Sequence, residues 1–131
     1  MAAKQTQEKE LTAKQRDELH KLLMSKRNEL LEKLGARRTG TTEREQKPGD
    51  EADQAVEDAE VALETRLMDR EAKLLREVER AVAKFKDETY GYCEGTDDPI
   101  GFARLKLRPW TRYSVTYKEE LEKEAKRQAG G

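Results

Sequence analysis

The sequence predicts a mainly α protein: a long antiparallel coiled-coil hairpin on a small globular domain, completed by a C-terminal helix. Three observations carry that prediction. Two long segments repeat leucine and other apolar residues at helical spacing. A polar stretch containing glycine and proline separates them. Six of the seven aromatic residues fall from Tyr90 onward. Composition agrees with this picture. Of 131 residues, 42% are charged, 34% are hydrophobic and 5% are aromatic. That is too little large apolar material for an ordinary compact globule. Either part of the chain is disordered, or a narrow helical seam supplies the burial.

The first helix is expected from about Leu11 to Leu34. Leu19, Leu23, Leu30 and Leu34 form one stripe, with Leu22 and Leu31 beside it. Thr12 stands three residues before Gln15, the spacing of a capping box, and Gly35 offers a stop. The polar turn, the tip of the hairpin, then runs from Ala36 to about Asp53 through Gly40, Pro48 and Gly49. The second helix is expected from about Asp53 to Thr89. Val56, Ala59, Leu63, Leu67, Leu74, Val78, Ala81 and Phe85 set its apolar stripe, which Arg66 and Arg70 interrupt. No proline or glycine breaks it. Residues 11–89 thus form the hairpin. Residues 90–131 form the globular domain, with 1–10 either packed nearby or disordered. Within the globular part, short strands or turns are expected at Phe102–Leu107 and Arg112–Thr116, and a charged helix at about Lys118–Gln128.

Several function classes are excluded at this stage. No apolar run approaches the ~18 residues of a membrane span. The N-terminus lacks the apolar core of a signal peptide. A single cysteine, Cys93, rules out an internal disulfide and a four-cysteine zinc site, and points to a cytoplasmic chain. The net charge of −1 supplies no global pull toward nucleic acid. Charge is nevertheless segregated. Seven acids and no base lie between Gly49 and Thr65, and five bases and no acid between Ala103 and Lys118. No phosphate loop or helix-turn-helix pattern accompanies the bases, so sequence-specific DNA binding is not expected.

Three constellations could carry chemistry. Asp50 and Asp53, followed by Ala55, sit where the tip meets the second helix. They read either as helix-capping acids or as carboxylates carried on a prong into another protein. The segment GYCEGT around Cys93 reads like a zinc-knuckle turn whose second ligand is replaced by Thr96. A free thiol in a small core fits it better than a metal site. Nucleophilic chemistry lacks a nearby base, since the only histidine, His20, lies in the first helix. The bases Arg104, Lys106, Arg108, Arg112 and Lys118 could receive phosphate groups or simply balance neighbouring acids.

Taken together, GDEADQAVEDAE, LETRLMDREAKLLREVERA, DETYGYCEG and IGFARLKLRP resemble the DksA/TraR family of bacterial transcription factors. The resemblance runs from about Leu11 to Lys118. The family's Asp-x-x-Asp-x-Ala tip motif appears as Asp50, Asp53 and Ala55, and its Gly-Tyr-Cys turn as Gly91, Tyr92 and Cys93. Ile100–Gly101 and Arg108–Pro109 match two further elements.

The resemblance implies a coiled-coil hairpin on a zinc-ribbon-like globular domain. It also implies a non-enzymatic regulator that binds RNA polymerase. The hairpin enters the secondary channel, and the acidic tip destabilises promoter complexes near the catalytic region. Guanosine tetraphosphate (ppGpp) acts as an effector shared with the polymerase in the stringent response. The family's four zinc ligands fall at Cys93, Thr96, Ser114 and Tyr117, so zinc is expected to be absent, with burial of Phe102, Trp110, Tyr113 and Tyr117 in its place. Arg108 and Lys118 match nucleotide contacts. Glu77 stands where a lysine is usual and should weaken the response. Two alternatives stay open: a Gre-like factor whose tip acids hold a metal and stimulate transcript cleavage, and a coiled-coil adaptor with no polymerase role. A closed hairpin is expected to be monomeric.

Overall fold

The computed structural model describes residues 8–44 and 51–130, the side chains of 39–44 excepted. Among these lie four helices: α1 (Ala13–Arg44), α2 (Glu51–Asp87), α3 (Phe102–Leu107) and α4 (Val115–Gly130). There is no extended strand among the described residues; Tyr92 and Pro99 form an isolated antiparallel bridge. The fold is mainly α, as the sequence predicts.

Local chemistry explains the helix starts. The Thr12 amide donates to Gln15 Oε1 at 3.0 Å, and the Gln15 amide donates to Thr12 Oγ1 at 3.1 Å. This reciprocal box satisfies two amides that the first turn of α1 leaves without helical partners. In α2, Glu51 and Asp53 occupy the first turn, and Lys84 and Lys86 the last, both favourable to the helix dipole. The α2 end is a Schellman turn: Glu88 takes φ 59°, and the Thr89 amide donates to Lys84 O at 3.0 Å. A glutamate fills the left-handed position that glycine usually takes. The sequence therefore carried no stop signal at Asp87, and the expected end at Thr89 was late.

Gly35 does not end α1, which continues to Arg44. A glycine inside a helix costs roughly 0.5–1 kcal/mol relative to alanine, too little to break a helix with tertiary support. That support is visible two residues on. The Arg37 guanidinium donates to Glu71 at 2.7 and 3.2 Å and to Glu64 at 3.1 and 3.2 Å.

The chain divides into two compact units. Residues 25–79 form one. In it α1 and α2 run antiparallel: Arg27 meets Glu79 at 3.4 Å, and Arg37 meets Glu64 and Glu71 further along. Leu30, Leu34 and Val78 are buried. The apolar stripe of α2 is only partly used, since Leu67 and Leu74 are half-buried while Val56 and Leu63 are more than half exposed. The seam is therefore shorter than the periodicity predicts.

The other unit contains the described residues up to 24 and from 80 onward. Its buried apolar side chains are Leu19, Leu23, Ala81, Tyr90, Cys93, Ile100, Leu105 and Pro109. Phe85 stacks on Tyr90 with centroids 4.1 Å apart, and His20 meets Phe85 edge-on at 4.8 Å. Gly91, at φ 95°, is buried under Leu11, and a Cβ there would come within 2.9 Å of Leu11 Cδ1.

Two expectations for this unit need correction. Phe102–Leu107, expected as a strand or turn, is a helix. Its residues, FARLKL, include no β-branched side chain, and Ala, Leu, Arg and Lys are helix formers. Nor is Arg112–Thr116 a strand or turn throughout: it bends at Tyr113, and its last two residues are already helical. Ser114 caps α4 instead, accepting the Tyr117 amide on Oγ at 3.2 Å and the Lys118 amide on its carbonyl at 3.0 Å. The helix thus starts at Val115, three residues before the expected Lys118.

Candidate functional site

The tip is the first candidate. Asp50 lies outside the described residues. Asp53 sits exposed in the first turn of α2, at its third residue, and is therefore not the capping residue itself. Ala55 is exposed on the same helix.

The second candidate is the turn around Cys93. The Cys93 amide donates to Asp98 O at 2.7 Å, the Asp97 amide donates to Cys93 O at 2.9 Å, and the Ile100 amide donates to Gly91 O at 2.8 Å. Asp97, at φ 64°, completes this tight loop. The fold brings Cys93, Thr96, Ser114 and Tyr117 into one cluster. Burial pushes the Cys93 thiol up, but hydrogen bonds from the Thr96 hydroxyl, the Ser114 and Gly95 backbone and the Ser114 hydroxyl outweigh it and hold the thiol below its ordinary value. The Tyr117 ring lies flush on Gly95, where any Cβ would overlap it.

This donor set does not fit zinc. Structural zinc takes four thiolate or imidazole ligands, whereas here one thiol is surrounded by two hydroxyls and a phenol ring. No group of three His, Cys, Asp or Glu side chains suited to a metal occurs among the described residues. The cluster is instead a hydrogen-bonded turn closed by an aromatic ring.

The aromatics expected to replace the metal do so only in part. Phe102, Trp110, Tyr113 and Tyr117 are half-buried, not core residues. The buried aromatic is Tyr90, whose hydroxyl donates to Pro109 O at 2.8 Å. Burial raises its phenol pKa well above the usual value.

The third candidate is the basic stretch. Arg104 Nε donates to Tyr113 O at 3.1 Å. Lys106 lies 3.4 Å from Glu18 and over the Phe102 ring at 5.6 Å. Arg108, the C-cap of α3, is exposed, and its carbonyl accepts the Thr111 amide and hydroxyl at 2.9 and 2.7 Å. Lys118 is exposed in the first turn of α4. Glu77 belongs to the 25–79 unit, where it lines a groove of about 520 Å³ beside Lys26, Lys33, Arg70 and Lys73.

Sequence reasoning missed Glu94 altogether. Its carboxylate accepts Lys84 Nζ at 2.5 Å and Arg112 Nη2 at 2.9 Å. These partners lie ten residues before it and eighteen after, spacings that no local pattern reports.

An antiparallel helix pair, an acidic helix start and a knuckle-like turn whose donor set does not fit zinc define a helical-hairpin protein with a zinc-knuckle-like turn. Comparison with known families makes the assignment specific. Residues 4–85 match the N-terminal domain of DnaK suppressor protein DksA, and residues 88–122 match the prokaryotic dksA/traR C4-type zinc finger. The chain belongs to the DksA family.

Among relatives, it is 43% identical over 74 residues to the RNA polymerase-binding transcription factor DksA of Caulobacter vibrioides, covering 56% of this chain and 52% of that protein. It is 38% identical over 81 residues to the protein of the same name from Escherichia coli, covering 62% of this chain and 54% of that one. The chain spans about half the length of the curated relatives it matches. Among solved structures, transcription factor DksA2 from Pseudomonas aeruginosa matches with a TM-score of 0.79 and 33% identity, over 87% of this chain and 88% of that one.

Proposed function

We propose that this chain is a transcription regulator that binds RNA polymerase and acts through the acidic start of α2. The observation that carries the reading is the DksA family match over residues 4–85, supported by the likeness to DksA2 along most of both chains. The relatives bear the name RNA polymerase-binding transcription factor.

In this reading the α1–α2 hairpin, residues 11–89 with its tip at 36–53, enters the polymerase secondary channel. Asp50 and Asp53 act there on the mobile elements around the catalytic magnesium, by hydrogen bonding and electrostatics. Ala55 leaves room for close packing. No bond is made or broken by this chain, so it works as a regulator and not as an enzyme.

The exposed cations Arg108 and Lys118 donate charge-assisted hydrogen bonds to the phosphates of ppGpp, the effector shared with the polymerase. Glu77 stands where the family resemblance puts a lysine, so the nucleotide deepens repression less than it would with a lysine there. Zinc has no part.

The test pairs binding with output. Asp50→Asn with Asp53→Asn should keep polymerase binding, measured by competition with wild-type chain, while losing repression of a ribosomal RNA promoter. Continued repression by the double variant would remove the tip from the mechanism. Stimulated cleavage of a backtracked transcript by the wild type would favour the Gre-like alternative.

A further inference from the structure

A tetrahedral metal ties together the two stretches that supply its ligands, here positions 93 and 96 with 114 and 117. Three of those four positions carry no sulfur. Hydrogen bonds around Cys93 join the stretches locally, but each neutral bond contributes modestly. Beside them stands an ion cluster with wider reach. Glu94 Oε2 accepts Lys84 Nζ from the last turn of α2. Glu94 Oε1 accepts Arg112 Nε at 3.1 Å and Nη2 at 2.9 Å, and the Glu94 amide donates to Arg112 O at 2.9 Å. Arg112 therefore meets Glu94 through both side chain and backbone. The guanidinium also lies 5.1 Å from the Tyr113 ring centroid. Burial pushes the Glu94 carboxyl up, yet Arg112 and Lys84 together bring it down to about 2. Charge-assisted bonds of this kind are roughly twice as strong as neutral ones.

We propose that Glu94 is a positioning residue that does the tying work of the missing metal. Through Lys84 and Arg112 it fastens the Cys93 turn to the end of α2 and to the segment joining α3 to α4, and so sets where Arg108 and Lys118 stand. Only this last step rests on the nucleotide reading given above.

The test uses the full chain in chelator, as wild type, Glu94→Gln, Arg112→Gln, the double variant and Glu94→Asp. Each glutamine variant should shift the backbone amide resonances of residues 108–118 and lower the thermal midpoint. The double variant should lose no more than the worse single one, and Glu94→Asp, which keeps the charge, should recover part of the loss.

The ppGpp concentration for half-maximal repression should rise about tenfold in Glu94→Gln, the scale of one charge-assisted bond. Repression without nucleotide should hold. Additive losses or unmoved 108–118 amides would each overturn the proposal. If the wild type ignores ppGpp, the nucleotide reading fails, and the amide and double-variant measurements still decide the role of Glu94.

Discussion

Tyr90→Phe isolates one buried hydrogen bond in the unit that carries the Cys93 turn. The Tyr90 side chain is 4% exposed, and its hydroxyl donates to Pro109 O at 2.8 Å. Phenylalanine keeps the ring and its stack on Phe85 but leaves the Pro109 carbonyl buried without that donor. An orphaned buried acceptor costs about 1–3 kcal/mol, and the lost bond sets the lower end for a neutral pair. We expect about 1.5 kcal/mol. For a chain of this length the entropy of unfolding is about 0.28 kcal/mol/K, so the thermal midpoint should fall by about 5 °C.

The assay is urea unfolding followed by circular dichroism, with the midpoint moving and the slope unchanged. A pH series adds a second check. Burial raises the folded phenol pKa, so the neutral form is the one the fold favours. The stabilisation is fully present below the unfolded value of about 10 and declines as pH rises above it. The gap between wild type and Tyr90→Phe should therefore narrow above pH ~10. A variant as stable as wild type at neutral pH, or a gap that widens in alkali, would refute the reasoning.

Other outcomes follow from the same structure. Leu23→Ala empties a fully buried position and should cost about 2–5 kcal/mol in denaturant unfolding. Thr12→Ala breaks the reciprocal box with Gln15 and should cost about 1 kcal/mol, with faster amide exchange confined to the first turn of α1. Arg37→Met removes the fork that binds Glu64 and Glu71, and should lower the thermal midpoint at low salt by more than at 1 M salt, about where screening becomes strong. The Cys93 thiol, 1% exposed, should resist iodoacetamide in the folded chain and react once urea unfolds it, despite its lowered pKa.

What could be read from sequence was whatever depends on neighbours along the chain. Thr12 and Gln15 announce the start of α1 because both partners lie within one turn. Leu19, Leu23, Leu30 and Leu34 announce its buried face because helical period alone places them together. The clustering of Cys93, Thr96, Ser114 and Tyr117 was legible through the family resemblance, which also marked the missing sulfur ligands. What was not legible depends on distant partners. Gly35 looked like a stop because its compensation, Arg37 bound to Glu64 and Glu71, comes from the opposite helix. Phe102–Leu107 was expected as a short strand or turn, and a six-residue segment between glycine and proline carries too little periodicity to announce a helix. Tyr90 was one aromatic among several until the Pro109 carbonyl and Phe85 singled it out. Glu94 had no local signature at all.

The most direct test of the central claim, a metal-free family member acting on polymerase, is transcription in vitro from a ribosomal RNA promoter with purified RNA polymerase. The chain is added after exhaustive chelation, with and without added zinc, each with and without ppGpp. The expected result is repression that is equal in chelator and in zinc and deepens modestly with ppGpp. Repression that appears only when zinc is restored, or no repression by a chain shown to be folded, would contradict it.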